Sequence, residues 1–147
     1  MTSLSFDKIK VRVTINTVIT KGSDREQMTN EAFGMMYVND ETAVCTFVER
    51  NESGETETLV KVEANKATIQ RSGALNMRQQ FVMNEKTESF YLTPYGRLMM
   101  ETKTKTLQFS WNKLKRVGLI HLSYDLWMQH EYTGRYDVTI QMEGVES

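Results

Sequence analysis

Alternation with a period of two is the feature that most constrains this chain. In KIKVRVTINTVIT (residues 8–20), Ile9, Val11, Val13, Ile15 and Ile19 fall on one face, and Lys8, Lys10, Arg12, Thr14 and Asn16 on the other. Successive side chains of a strand point to opposite faces, so the pattern predicts a long half-buried strand. LIHLSYDLWM (119–128) repeats it, with Ile120, Leu122, Tyr124, Leu126 and Met128 set against His121, Ser123 and Asp125. So does YDVTIQM (136–142), with Tyr136, Val138, Ile140 and Met142 on the apolar side.

Further strands are predicted at 26–38, 41–50, 56–63, 67–71, 74–83, 88–93 and 96–110. Turn-forming residues separate the segments: Asn39-Asp40, NESGE at 51–55, Ala64-Asn65-Lys66, Ser72-Gly73, Asn84-Glu85, TPYG at 93–96 and Thr133-Gly134. The short spacings favour antiparallel hairpins between neighbours. SDREQMTNEAFGMMY (23–37) also fits a helical stripe, with Ser23 as N-cap, but Gly34 weakens a helix and the strand reading is preferred. Eight to ten such strands must bury one face and hide two edges. A closed, antiparallel, up-and-down β-barrel does both, with an open sandwich as the alternative.

The chain has 147 residues, enough for one domain spanning 1–147, and a single core. A hydrophobic content of 39% with 25% charged residues fits a soluble globular protein, and the net charge of −1 exerts no strong pull toward nucleic acid or membrane. No secretory leader or apolar membrane span is visible, which predicts a cytoplasmic location. Cys45 is the only cysteine, so no internal disulfide or cysteine metal cluster is expected, and a buried inert thiol is.

The runs IQRSGALNMRQQFV and FYLTPYGRLMMETKTKTLQ carry a resemblance. Through Arg71, Ser72, Gly73, Met77, Gln79, Phe81, Gly96, Thr102 and Thr104, the chain resembles the YwiB-like family of small bacterial proteins. The likeness covers most of residues 58–142, and the N-terminal third matches by pattern. It implies a calycin-type (lipocalin-like) barrel and a cytosolic location. It implies no activity and transfers no functional residue.

Within that frame, four polar residues share faces with apolar ones. Arg71 alternates with Ala67 and Ile69, Gln79 with Met77 and Phe81, and Thr102 and Thr104 with Leu98 and Met100. Arg71, Gln79, Thr102 and Thr104 are therefore the expected ligand-binding residues of a barrel lumen. The arginine would fork onto the carboxylate of a small amphipathic ligand, and Met and Leu would wall its tail. A lumen above roughly 300 Å³ beside Arg71 is expected if this holds. The competing reading is structural: Arg71 reaches a backbone carbonyl or a glutamate such as Glu88, because a buried unpaired arginine costs several kcal/mol.

Other constellations are weak. His121, Ser123 and Asp125 lie on one strand at about 6.6–6.8 Å spacing, beyond the contact a catalytic triad needs, and their face points outward. His121 and His130 have no metal-ligand spacing, and no glycine-rich phosphate loop is present, so no metal, cofactor or enzymatic activity is expected. Residues 24–57 are strongly acidic and 97–116 basic, which predicts oppositely charged walls. Phe109 and Trp111 lie near the basic run, but nucleic acid is not an expected partner. Strict alternation after Lys103 and Lys105 sends Leu107, Phe109 and Trp111 outward. Either a bulge near Thr106 restores them to the core, or they form an apolar stripe suited to a homodimer. The leading expectation is a non-enzymatic binding module. An interaction or structural protein with a filled barrel, acting through its outer surface, is the alternative.

Overall fold

A computed structural model describes residues 6–39 and 41–145. Among them the chain forms ten strands: β1 (Asp7–Lys21), β2 (Asp24–Val38), β3 (Thr42–Asn51), β4 (Gly54–Glu63), β5 (Lys66–Gly73), β6 (Asn76–Val82), β7 (Lys86–Thr93), β8 (Gly96–Asn112), β9 (Val117–Met128) and β10 (Glu131–Gly144). Each pairs antiparallel with its sequence neighbours, and β1 pairs with β10, so the sheet is a closed up-and-down barrel. Residues 24–38 are strand, as the preferred reading held. Asp40, half of the expected Asn39-Asp40 turn, lies outside the described residues.

Alternation fills the interior. Val11, Val13, Met36, Val60, Phe81, Met100, Ile120, Leu122, Ile140 and Met142 are all buried. Each such side chain removed from water contributes about 1.5–3 kcal/mol before the entropy of ordering it is counted. The acidic stretch runs along β2–β4, while the basic stretch centres on β8, which stands across the ring from β3. The expected separation of charge is therefore realised on opposite walls.

Two bulges set the faces of the long strands. In β8 the register shifts between Thr104 and Thr106, leaving Lys105 as the extra residue. The shift returns Leu107 to the core, with Phe109 and Trp111 packed against it. Of the two outcomes that alternation allowed, the bulge is the one present: Leu107 is buried and Phe109 and Trp111 are partly buried rather than forming a fully exposed apolar stripe. In β10 the register shifts between Tyr132 and Gly134. Thr133-Gly134 is thus a bulge rather than the expected turn. The β9–β10 turn lies earlier, at Gln129-His130, where both residues take positive φ (51° and 69°) without glycine. Contacts to β8 hold it: the Gln129 amide donates to the Met99 carbonyl at 2.9 Å, and the Met99 amide donates to Gln129 Oε1 at 2.7 Å. The β5–β6 turn likewise falls at Ala74-Leu75, two residues after Ser72-Gly73.

The wall is discontinuous in two places. β2 pairs with β3 only from Gly34 to Val38, so Asp24–Phe33 ladder with β1 alone and the sheet splits above Gly34. β6 and β7 pair only at Asn76–Leu92 and Met77–Tyr91. Below that, the Thr87 hydroxyl donates to the Gln80 carbonyl at 2.6 Å. The 84–85 turn bonds directly to β8, with the Asn84 amide donating to the Thr104 carbonyl at 3.0 Å.

Gly34 marks the point where β2 and β3 part. A Cβ there would sit 2.0 Å from the Thr46 carbonyl oxygen and 2.9 Å from Phe47 Cβ. Glycine is needed for this approach, not for an unusual backbone angle. Gly34→Ala is expected to destabilise the fold by about 1–3 kcal/mol, the range for forced overpacking. Urea denaturation measures it, and an unchanged midpoint contradicts the contact.

Candidate functional site

Inward alternation and register together assemble one polar cluster inside the barrel. Arg71 on β5 stands opposite Thr58 on β4 and Met77 on β6, and Thr58 stands opposite Phe47 on β3. Glu49, two residues beyond Phe47, therefore projects to the same side as Arg71. The Thr58 hydroxyl donates to Glu49 Oε1 at 3.0 Å, and Arg71 Nε lies 3.7 Å from that oxygen. Both charged side chains are about a quarter exposed (25% each). Among the described residues the Arg71 guanidinium makes no hydrogen bond, and its one ion-pair partner is Glu49.

These residues border a cavity of about 200 Å³ at the split end of the barrel. Ile15, Phe47, Val60, Ile69, Val138 and Ile140 give it an apolar wall, and Glu49, Arg71, Gln79, Tyr124 and Tyr136 a polar one. Met28 and Asn30, on the part of β2 that leaves β3, form its outer lip. The two tyrosines stack with ring centroids 5.3 Å apart, and Phe81 closes under Tyr124 at 4.9 Å. Burial pushes the Tyr124 phenol up, while the Arg71 charge and a side-chain hydrogen bond with Gln79 pull it the other way. Below the cavity the interior is packed with side chains.

The four expected ligand residues do not converge. Arg71 and Gln79 line the cavity. Thr102 stands behind it, its hydroxyl accepting a 2.9 Å hydrogen bond from Gln79 Nε2. Thr104 is fully buried and away from the cavity wall, with no partner for its Oγ1 among the described residues. The glutamate beside Arg71 is Glu49. Glu88 lies on the outer side of β7, where it borders a separate groove. Glu49 was available to sequence reasoning, since it continues the alternation of Ala43, Cys45 and Phe47. Cys45 is buried, and burial raises its thiol to about 12, so it stays protonated.

His121, Ser123 and Asp125 do not interact as a set. His121 Nε2 pairs with Asp137 across the outer wall at 2.6 Å. Asp125 accepts from Tyr132 Oη at 2.7 Å and lies 3.4 Å from Arg135 Nε and 3.5 Å from Lys105 Nζ. Beside it, Glu101 pairs with Lys86 at 3.1 Å and His130 at 3.2 Å. Among the described residues no group of three or more His, Cys, Asp or Glu side chains is arranged to hold a metal ion.

The fold and site define a closed, ten-stranded antiparallel β-barrel whose packed interior leaves a small polar-walled cavity at one end. The chain belongs to the family described as Domain of unknown function (DUF1934), which matches residues 13–140. It is 29% identical over 130 residues to the uncharacterized beta-barrel protein YwiB of Bacillus subtilis (strain 168), covering 88% of this chain and 90% of that protein. The crystal structure of ywiB protein from Bacillus subtilis superposes with a TM-score of 0.83 at 25% identity, over 97% of this chain and 96% of that one.

The outer network gives a pH prediction. Burial alone would raise the Asp125 carboxyl, but the Tyr132 and Arg135 hydrogen bonds and the Arg135 and Lys105 charges outweigh it and hold it below its ordinary 3.8. A carboxyl lowered in the folded state contributes stability that is present above its unfolded value and lost as pH falls through the folded one. Wild type should therefore lose more stability than Asp125→Asn on acidification below about pH 4. Urea denaturation across that range measures it, and parallel curves contradict the assignment.

Proposed function

We propose that the protein is a non-enzymatic binding module that holds a small amphipathic acid in the cavity at the split end of its barrel. The supporting observation is the state of Arg71. Its guanidinium faces a cavity with one wall apolar, and its partner Glu49 sits at 3.7 Å, too far for a hydrogen bond. A ligand carboxylate would take the free donors in forked geometry. The body would lie on Ile15, Phe47, Val60 and Val138. Glu49 would accept a hydrogen bond from any ligand hydroxyl.

Size restricts the ligand. A volume of about 200 Å³ is below the roughly 300–1,000 Å³ typical of drug-sized ligands. A short-chain or single-ring acid fits, and a long fatty chain does not, because Met36, Phe81, Met100 and Met142 occupy the interior further down. That packed interior favours a second reading, an interaction protein that works through its outer wall.

Native mass spectrometry of freshly purified protein separates the two. Binding predicts an adduct of small mass that disappears in both Arg71→Met and Val138→Phe, the latter filling the cavity. Arg71→Met should cost about 1–3 kcal/mol of stability, because it leaves the largely buried Glu49 without its cation. Wild type free of any adduct, with no uptake of short-chain or aromatic acids, contradicts the binding module.

A further inference from the structure

We propose that the outer groove where β6 and β7 part is a second binding site, for a phosphate-bearing ligand with a flat ring, of the nucleotide class. It goes beyond the lumen reading and does not depend on it. The groove has a volume of about 530 Å³, within the range of small-molecule sites.

Its construction follows from the incomplete β6–β7 ladder. Arg78 on β6 stands opposite Gln70, and Arg97 on β8 stands opposite Leu92 on β7. The two arginines therefore flank the cleft from opposite sides, and Phe90 and Leu92 project between them from β7. Arg71 borders the same groove from the lumen side. The carboxylate there is Glu88, so the two outward guanidiniums of Arg78 and Arg97 face one acid, while the Arg71 side chain stays with Glu49 inside the barrel. Among the described residues Arg78 has no hydrogen bond or ion pair, and Arg97 has none either but lies over the Phe90 ring, its guanidinium carbon 4.1 Å from the ring centroid.

That geometry distinguishes the parts of a ligand. Arg97 lies over the Phe90 ring, and this exposed cation–aromatic pair offers a surface on which an aromatic base can stack. Arg78 presents an unengaged fork, the donor arrangement that matches phosphate oxygens. Phe90 and Leu92 are exposed large apolar side chains that a ring would cover. The shared chemistry is a base linked to phosphate, which a free nucleotide and a single strand of RNA both present.

The test is an NMR titration of the full chain with three probes: adenosine monophosphate, inorganic phosphate and a short single-stranded oligoadenylate. The proposal expects shifts at Arg78, Phe90 and Arg97, and affinity for the nucleotide about tenfold or more above that for phosphate. Arg78→Ala and Arg97→Ala should each weaken nucleotide binding about tenfold, with thermal melting unchanged because both side chains are exposed. Tighter binding of the oligonucleotide assigns the ligand to a nucleic acid strand, and equal binding assigns it to a free nucleotide. Both support the site. No binding of any probe, phosphate binding as tightly as nucleotide, or binding that survives Arg78→Ala combined with Arg97→Ala overturns it.

Discussion

The ladder between β1 and β10 joins the two ends of the described chain, with Val11 opposite Gly144 and Thr20 opposite Arg135. Nine hairpin connections bring neighbouring strands together at little entropic cost, but this seam must close a loop of nearly the whole chain. What offsets the cost is apolar area: Val11, Val13, Val138, Ile140 and Met142 come together inside only when the ring shuts. Closure also removes the sheet's two outer edges, which would otherwise offer unpaired backbone to other chains. Every inward or outward assignment in the protein presupposes this seam.

The filled core explains why the polar groups sit where they do. A barrel of this size has room for side chains and at most a small ligand, and Arg71 and Glu49 sit at the end where β2 parts from β3. The opening arises because β2 leaves β3 above Gly34 and continues with β1 as a ribbon. There the charged pair keeps a quarter of its surface in water, which avoids the desolvation that a fully enclosed pair would suffer. The same logic applies outside, where the shielded Asp125 has Tyr132, Arg135 and Lys105 as partners and the shielded Glu101 has Lys86 and His130.

Strand positions and faces were readable from sequence because burial on one side imposes a period of two, and residues 8–20, 119–128 and 136–142 show it most clearly. What depends on register was not. The sequence placed Arg71 inward, but its partner follows from which residues stand across β3, β4 and β5. The Lys105 bulge was one of two outcomes that alternation allowed, and it was decided by burial of Leu107. The Gln129-His130 turn lacks the glycine or asparagine that marks such turns and depends instead on contacts to Met99. The separations of β2 from β3 and of β6 from β7 left only indirect traces, such as the polar run DREQMTNE.

Native-state hydrogen exchange, resolved by residue, tests the closed but split barrel most directly. The account predicts that seam amides around Val11, Val13, Ile140 and Met142 are among the last to exchange, while every second amide between Arg25 and Phe33, facing the split, exchanges early. Early exchange along β1 and β10, or uniform protection across residues 25–33, would contradict it.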